Sequence, residues 1–412
     1  MIDSHKFVQF GAGNIGRSFV GQLFSRGGFE VAFIDVDPTL LATLNHDHRY
    51  LVAIRDEVPE DIWVDHVRGV DGRDRDACAR ELATCRLCGT SVGVNAVPHI
   101  LPTLAAGLVA RHEAGNGPLD VIIAENIHNA ARMFRDGLLT HLPAGFPLDD
   151  MLGLVETSIG KMVPIMPEED RQQDPLLVYA EAYNTLICDA LTFRNPIPEV
   201  PGLEPRANMR AYVDRKLFVH NLGHACCAYF AFVVNPAIVY LWEAMEDEQI
   251  VEATRRAMWE SCRALIAAYP DEFTELILTD HIAELLHRFR NRALGDTIFR
   301  IGRDLPRKLS REDRLIGALL YDLAHGIGDP IFTAHGVAAG FRFFAVDERG
   351  QPFGPDVSFV EEDLPLGIEH VIHEVCGLRD DAPDDVAAAN LLRTANTHIE
   401  RSGPAFLEDL LA

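Results

Sequence analysis

Hydrophobic positions in the first part of the chain switch between two periods. Residues 6–10 (KFVQF) form a short apolar run that predicts a strand, and past the glycines at 11–16 the apolar Ile15, Phe19, Val20, Leu23 and Phe24 recur at helical spacing. Gly27 and Gly28 stop that helix, and 30–36 (EVAFIDV) reads as a second buried strand. The opening is therefore strand, glycine turn, helix, strand. A helix after Pro38, strand-like runs at 50–54 and 63–70, a strand at 87–93, a helix around 101–111 and an apolar strand at 119–124 continue the alternation. This order predicts an α/β fold, an N-terminal doubly wound sheet of Rossmann type spanning residues 1–190. Pro196, Pro198, Pro201 and Pro205 then crowd a polar stretch that reads as the connection between domains. Long helical patterns follow at 207–234, 245–269 and 273–290, with one strand-like run at 341–346. Residues 191–412 are expected to form a mostly α-helical C-terminal domain. No repeat of 20–50 residues and no low-complexity tract disturbs the two-domain reading.

A chain of 412 residues, 48% of them hydrophobic and 24% charged, is long enough for two cores and has the composition of a globular enzyme. Charge narrows the partners. With 37 basic and 62 acidic residues the formal net charge is −25, a field of the wrong sign for nucleic acid or an anionic membrane surface. The uncharged run at 225–242 approaches spanning length, but Asn235-Pro236 near its middle suits two buried helical pieces better. The N-terminal ten residues have no charged segment followed by an apolar one, which makes the cytoplasm the expected compartment. Eight cysteines are too few for a disulfide scaffold, and Cys85-x-x-Cys88, with only Cys78 near it, reads as buried thiols.

The glycine turn, GAGNIG at 11–16, carries the first recognisable chemistry. Gly11 allows a tight turn, Gly13 lets backbone approach a pyrophosphate, Gly16 permits close helix packing, and the helix N-terminus at Asn14 and Ile15 favours an anion. Asp35 ends the second strand at the distance where a carboxylate accepts from both ribose hydroxyls, and no Lys or Arg lies between Arg26 and Arg49 to neutralise a 2′-phosphate. The expected cofactor is NAD, not NADP.

Oxidation of an alcohol also needs a base for the hydroxyl proton and donors for the developing alkoxide. His220 and His224, at i and i+4, would share a helix face, but no third zinc ligand is identifiable nearby, so no metal is expected. Lys216, Asn221 and His224 fall within a broad common sector of an otherwise apolar helix. Unpaired polar groups there would be costly, which favours a lined pocket, and a desolvated lysine whose pKa falls is a workable general base. A surface lysine with a capping asparagine fits the same spacing.

These motifs together resemble the polyol-specific long-chain dehydrogenase family. The resemblance runs over most of the chain: FGAGNIGR at 10–17, GTSVG at 89–93, AEN at 124–126, PGLEP at 201–205, RKLFVHNLGH at 215–224 and GRDLPRKLSREDRLI at 302–316. It implies a metal-independent NAD enzyme with substrate between the two domains, Lys216 as acid/base, Asn126 and Asn221 as donors to the reacting oxygen, and His224 on a substrate hydroxyl. It also implies Val92 and Gly93 as cofactor contacts and Arg300 and Lys308 as substrate contacts. The function implied is interconversion of a polyol or polyol phosphate with its ketose, mannitol 1-phosphate and fructose 6-phosphate being the expected pair. Two places depart from the family pattern. Gly160-Lys161 stands where Asp-Arg is usual, and Thr185-Leu186 where Glu-Trp is expected. Reaction type therefore transfers better than substrate identity.

Residues 300–314 hold six basic and three acidic groups, an island in an acidic chain. One reading is a solvated loop whose charges pair locally. The other, followed here, has Arg303 and Arg307 clamp a substrate phosphate beside Arg300 and Lys308. Two alternatives to a polyol-phosphate enzyme stand: a hexuronate or keto-uronate oxidoreductase of the same family, and a non-catalytic NAD-binding sensor.

Overall fold

The alternation in KFVQF is realised in β1 (Lys6–Phe10), where Phe7 joins the core on one face of a sheet and Val8 and Phe10 the core on the other. The computed structural model describes every residue except 127, 128 and 165, and its contacts divide the chain into two units, Met1–Met209 and Arg210–Ala412.

In the first unit, β1 leads through the glycine turn into a π-helical segment, Gly16–Gly21, and α1 (Gln22–Arg26). Then come β2 (Glu30–Asp35), α2 (Pro38–Asp47), β3 (Arg49–Ile54), β4 (Glu60–Asp65), β5 (Val67–Asp71), α3 (Arg75–Thr84), β6 (Leu87–Thr90), α4 (Val97–Glu113), β7 (Leu119–Ile123) and α5 (Ala130–Leu139). Four further strands are β8 (Leu152–Ile159), β9 (Val178–Ala180), β10 (Leu186–Asp189) and β11 (Leu203–Arg206). The main sheet has eight strands in the order β11-β10-β8-β7-β6-β1-β2-β5, and a smaller one has the order β4-β3-β9. β1 pairs in parallel with both β2 and β6, so that Val8 lies opposite Ala32 and Cys88. One face buries Leu82, Leu104, Leu108 and Phe134 from α3, α4 and α5; the other buries Phe19 and Phe24 with Tyr50 and Val178 of the smaller sheet. Each such side chain contributes about 1.5–3 kcal/mol by leaving water.

Three expectations are corrected. The run at 63–70 is two strands: His66 takes the left-handed conformation, φ 57°, which turns β4 toward β3 while β5 joins β2. The prolines after residue 195 do not end the first unit at 190, because the chain returns to add β11 beside β10, and the unit closes only at Met209. Pro205 sits within β11, and a sheet edge is where a strand tolerates a residue without an amide proton. The alternation at 341–346 is an irregular stretch in which Phe341 and Phe343 are buried and Phe344 is exposed, the Phe343 ring lying 5.2 Å from that of Tyr229.

The second unit is mostly helical. α6 (Met209–Arg215), a π-helical segment Lys216–Asn221 and α7 (Leu222–Val234) form one continuous helix of 26 residues. Its length and apolarity alone would suit a membrane, but 72% of its most apolar window is buried inside the protein. Around it lie α8 (Glu248–Ala268), α9 (Glu275–Phe289), α10 (Ile298–Gly302), α11 (Leu305–Lys308), α12 (Ile316–Ala324), α13 (Ile331–Gly340) and α14 (Pro383–Ser402). α7 packs on α8, α10 and α13, closely enough that Gly223 faces Met258 and Gly336 faces Cys226. All eight cysteines are buried free thiols.

Candidate active site

The glycine turn is locked from several sides. Gly11 has φ +88° and a Cβ there would come within 2.6 Å of the Ser91 carbonyl oxygen; at Gly16 it would strike the carbonyl of Gly11. A Cβ at Gly13 would meet nothing within 4 Å, so protein packing does not explain that glycine and approach of a ligand does. The Ala12 amide donates to Asp35 Oδ2 at 2.7 Å, and Asp35 Oδ1 accepts from the amides of Val36 (2.7 Å) and Asp37 (3.1 Å). Asp37 is occupied otherwise: it caps α2, accepting from Thr39 and Leu40. Beneath the turn, the buried Arg17 guanidinium donates to the carbonyls of Ala12 (2.7 Å) and Pro175 (3.0 Å), and Tyr50 donates to the Arg17 carbonyl at 2.8 Å. Burial lowers the Arg17 pKa. These residues form a cradle of amides and one carboxylate at the carboxyl ends of β1 and β2.

Val92 and Gly93 stand in the turn after β6, where Gly93 has φ +85°. Their amides are not open to a ligand. Glu125, just past β7 and only 7% exposed, accepts the Val92 amide at 2.8 Å and the Gly93 amide at 2.9 Å. Asn126 follows, exposed, beside residues outside the described set. Both departures from the family pattern are structural here. The buried Lys161 ammonium donates to the carbonyls of Glu181 (3.2 Å) and Tyr183 (2.7 Å) and to Asn184 Oδ1 (3.0 Å), and Leu186 is a core residue of β10.

In the helical unit, Lys216 opens the π-helical segment and Asn221 closes it. A π turn is wider than an α turn, with i→i+5 hydrogen bonds, so the insertion brings Lys216 and Asn221 nearer to one face than α-helical spacing would. Burial brings the Lys216 pKa down to about 8, with the positive charge of Arg314 adding to it. His224, one turn on, stacks on Phe289 with centroids 4.8 Å apart and lies 3.9 Å from Asp296. Burial, then Arg314, Lys308 and Arg300, hold its pKa down to about 3, so the ring is neutral. Its buried Nε2 has no hydrogen-bond partner among the described residues, as a substrate hydroxyl contact requires. His220 is buried 6.0 Å from His224, ring to ring, and is also kept neutral by burial. Among the described residues no group of three or more His, Cys, Asp or Glu gathers as a metal site.

The basic island separates into unlike members. Arg300 pairs with the buried Asp296. Arg303 lies over the rings of Phe299 and Phe353 at 5.6 and 5.1 Å. Arg307 bridges Asp304 (2.5 Å) and Asp313 (2.8 Å), the local pairing of a solvated loop. Lys308 is buried, donates to the carbonyls of Ile301 and Arg303, and has its pKa brought to about 7 by burial and then by Arg314 and Arg307. Arg311 pairs with Asp385, and Arg314 donates to Asp313 at 2.8 Å.

Sequence reasoning missed Arg17, Glu125 and Arg314. The signal for Arg17 was a lone cation in the apolar helix opening GRSFVG; Glu125 and Arg314 lay inside recognised motifs without a role.

Comparisons with known proteins agree over most of the chain. Residues 5–202 match the model of the mannitol dehydrogenase Rossmann domain and residues 208–369 that of the mannitol dehydrogenase C-terminal domain. The mannitol-1-phosphate 5-dehydrogenase of Brevibacillus brevis is 31% identical over 374 residues, 90% of this chain and 93% of the relative. That of Halalkalibacterium halodurans is 31% identical over 378 residues, 90% and 96%. Among solved structures, the Pseudomonas fluorescens mannitol 2-dehydrogenase ternary complex with NAD and D-mannitol superposes with TM-score 0.73 at 17% identity, covering 98% of this chain and 94% of that one. A substrate-free D-sorbitol dehydrogenase gives 0.77 at 14% identity, covering 97% and 94%.

Proposed function

The chain belongs to the mannitol dehydrogenase family and is an oxidoreductase of that family, and we propose that it interconverts a polyol phosphate and its ketose phosphate with NAD. The pair proposed is mannitol 1-phosphate, which the name of its curated relatives contains, and fructose 6-phosphate. The observation that carries the reading is Lys216 in a π turn with Asn221, its pKa brought down to about 8, beside a neutral His224.

When bound, NAD supplies the hydride acceptor. The cradle fits it: the open space at Gly13 admits a pyrophosphate, the helix N-terminus attracts it, and Asp35 accepts from the adenosine ribose hydroxyls. In the oxidation direction neutral Lys216 takes the hydroxyl proton as hydride leaves the carbinol carbon. In reduction its ammonium returns that proton to the oxygen. Asn221 and Asn126 donate to the reacting oxygen as charge develops on it. His224 Nε2 contacts a neighbouring hydroxyl. Arg303 is the proposed phosphate ligand; Arg300 is paired with Asp296, Arg307 is spent on two carboxylates and Lys308 on two carbonyls.

Initial rates of NADH formation test this reading. Rates with NAD and mannitol 1-phosphate are expected to exceed those with NADP, with mannitol or with hexuronates. A higher kcat/KM for a hexuronate would make the chain a sugar-acid enzyme, and NADH binding without turnover of any of these would make it a sensor.

A further inference from the structure

Strand order fixes which half of the cofactor each loop can meet. Leaving β1, the sheet runs to β2 and β5 on one side and to β6, β7 and β8 on the other, so the topological switch lies between β1 and β6. A dinucleotide crosses the carboxyl ends of the strands at that switch. Asp35, at the end of β2, marks the adenosine side. The turn after β6 and Glu125, just past β7, therefore face the nicotinamide side.

Glu125 stands on that side with each carboxylate oxygen engaged by a different amide, Oε1 by Val92 and Oε2 by Gly93. Two amides converging on its two oxygens favour the ionised carboxylate; an amide side chain offers one acceptor, and its NH₂ would oppose the second N–H. Burial raises its pKa and outweighs the Val92 and Gly93 amide bonds, which lower it; no cation of the described residues acts on it. A buried negative charge is costly unless something positive offsets it. The oxidised nicotinamide ring carries a positive charge and the reduced ring does not.

We propose that Glu125 is a positioning residue for the nicotinamide half of the cofactor, holding the Val92–Gly93 turn and placing a fixed negative charge that favours the oxidised over the reduced dinucleotide. This rests on the cofactor reading above. It makes the site's preference between the two redox states a property of one side chain.

The test is the ratio of dissociation constants for NAD and NADH, measured on the full-length protein by titration calorimetry for wild type, Glu125→Gln and Glu125→Asp. Glu125→Gln is expected to weaken NAD about tenfold more than NADH, the scale of one nearby charge in a partly screened site. Glu125→Asp keeps the charge and shortens the reach, so both affinities fall while the ratio stays within about twofold of wild type. Should the Gln variant not fold, a shifted ratio in the Asp variant overturns the proposal and an unchanged ratio with lower affinities supports it. Equal weakening of NAD and NADH by Glu125→Gln reduces Glu125 to a structural brace. Binding of neither dinucleotide by the wild type removes the cofactor reading and this inference together.

Discussion

Around the glycine turn, function is written in backbone geometry: Gly11 and Gly16 sit where no Cβ fits, and amides of residues 12, 36 and 37 converge on Asp35. Around Lys216 the arrangement is electrostatic. Arg314 acts on the pKa of Lys216, Lys308 and His224, and burial lowers all three. In the first region Asp35 and the Arg17 guanidinium hold the turn through hydrogen bonds to its backbone. The second keeps cations partly desolvated, which lowers stability and makes proton exchange possible near neutral pH. In this account the cofactor region selects what binds, and the lysine region does the proton chemistry.

The contrast breaks most visibly at Lys216. Lys216→Met is expected to lower kcat for mannitol 1-phosphate oxidation by about 10²–10⁴-fold. Its NADH dissociation constant, followed by fluorescence, should stay at the wild-type value. A shared loss of binding and turnover would mean that the two regions are not separable. Asp35→Ala comes next. It removes the ribose acceptor and three amide contacts at once, so the KM for NAD should rise by about ten- to a hundredfold, with the NAD/NADP ratio of kcat/KM falling. Equal loss with both dinucleotides would show that Asp35 only shapes the turn.

The basic island sharpens the comparison within the helical unit. Arg303→Met is expected to raise KM for mannitol 1-phosphate by about tenfold and leave unphosphorylated mannitol unaffected. Arg307→Met should change either KM by less than about threefold, because its charge already serves Asp304 and Asp313 on a half-exposed loop. Reversal of that order in steady-state kinetics would return the phosphate to Arg307.

What the sequence disclosed follows the same division. The β1, turn, helix, β2 pattern and Asp35 are local, so periodicity and glycine spacing were sufficient to find them. β11 was hidden because LEPR is four residues long and contains a proline, readable only once β10 stands beside it. Glu125 escaped because its partners are more than thirty residues away, across two strand ends. Nothing local in KLFVHN announces a π turn; spacing singles out the lysine, asparagine and histidine but leaves a surface reading equally open, the family's pattern favours the pocket, and the fold brings Lys216 and Asn221 nearer to one face. Arg303 and Arg307 look alike in sequence, and only the fold separates the one stacked on rings from the one between carboxylates. Lys161 and Leu186 read as departures near a substrate and proved to be a loop anchor and a core side chain.

The central claim is that burial in the helical unit turns Lys216 into the base. Its most direct test is the pH dependence of kcat/KM, taken between pH 6 and 10 in the presence of a chelator, in both directions. Oxidation needs the neutral amine, so its kcat/KM should rise with pH and level off above an inflection near 8; reduction needs the ammonium and should fall through the same value. Lys216→Met should lose that inflection while its residual rate is followed under the same conditions. A wild-type profile without an inflection between pH 7 and 9, or a rate that the chelator abolishes, would contradict the account and turn attention to His220 and His224.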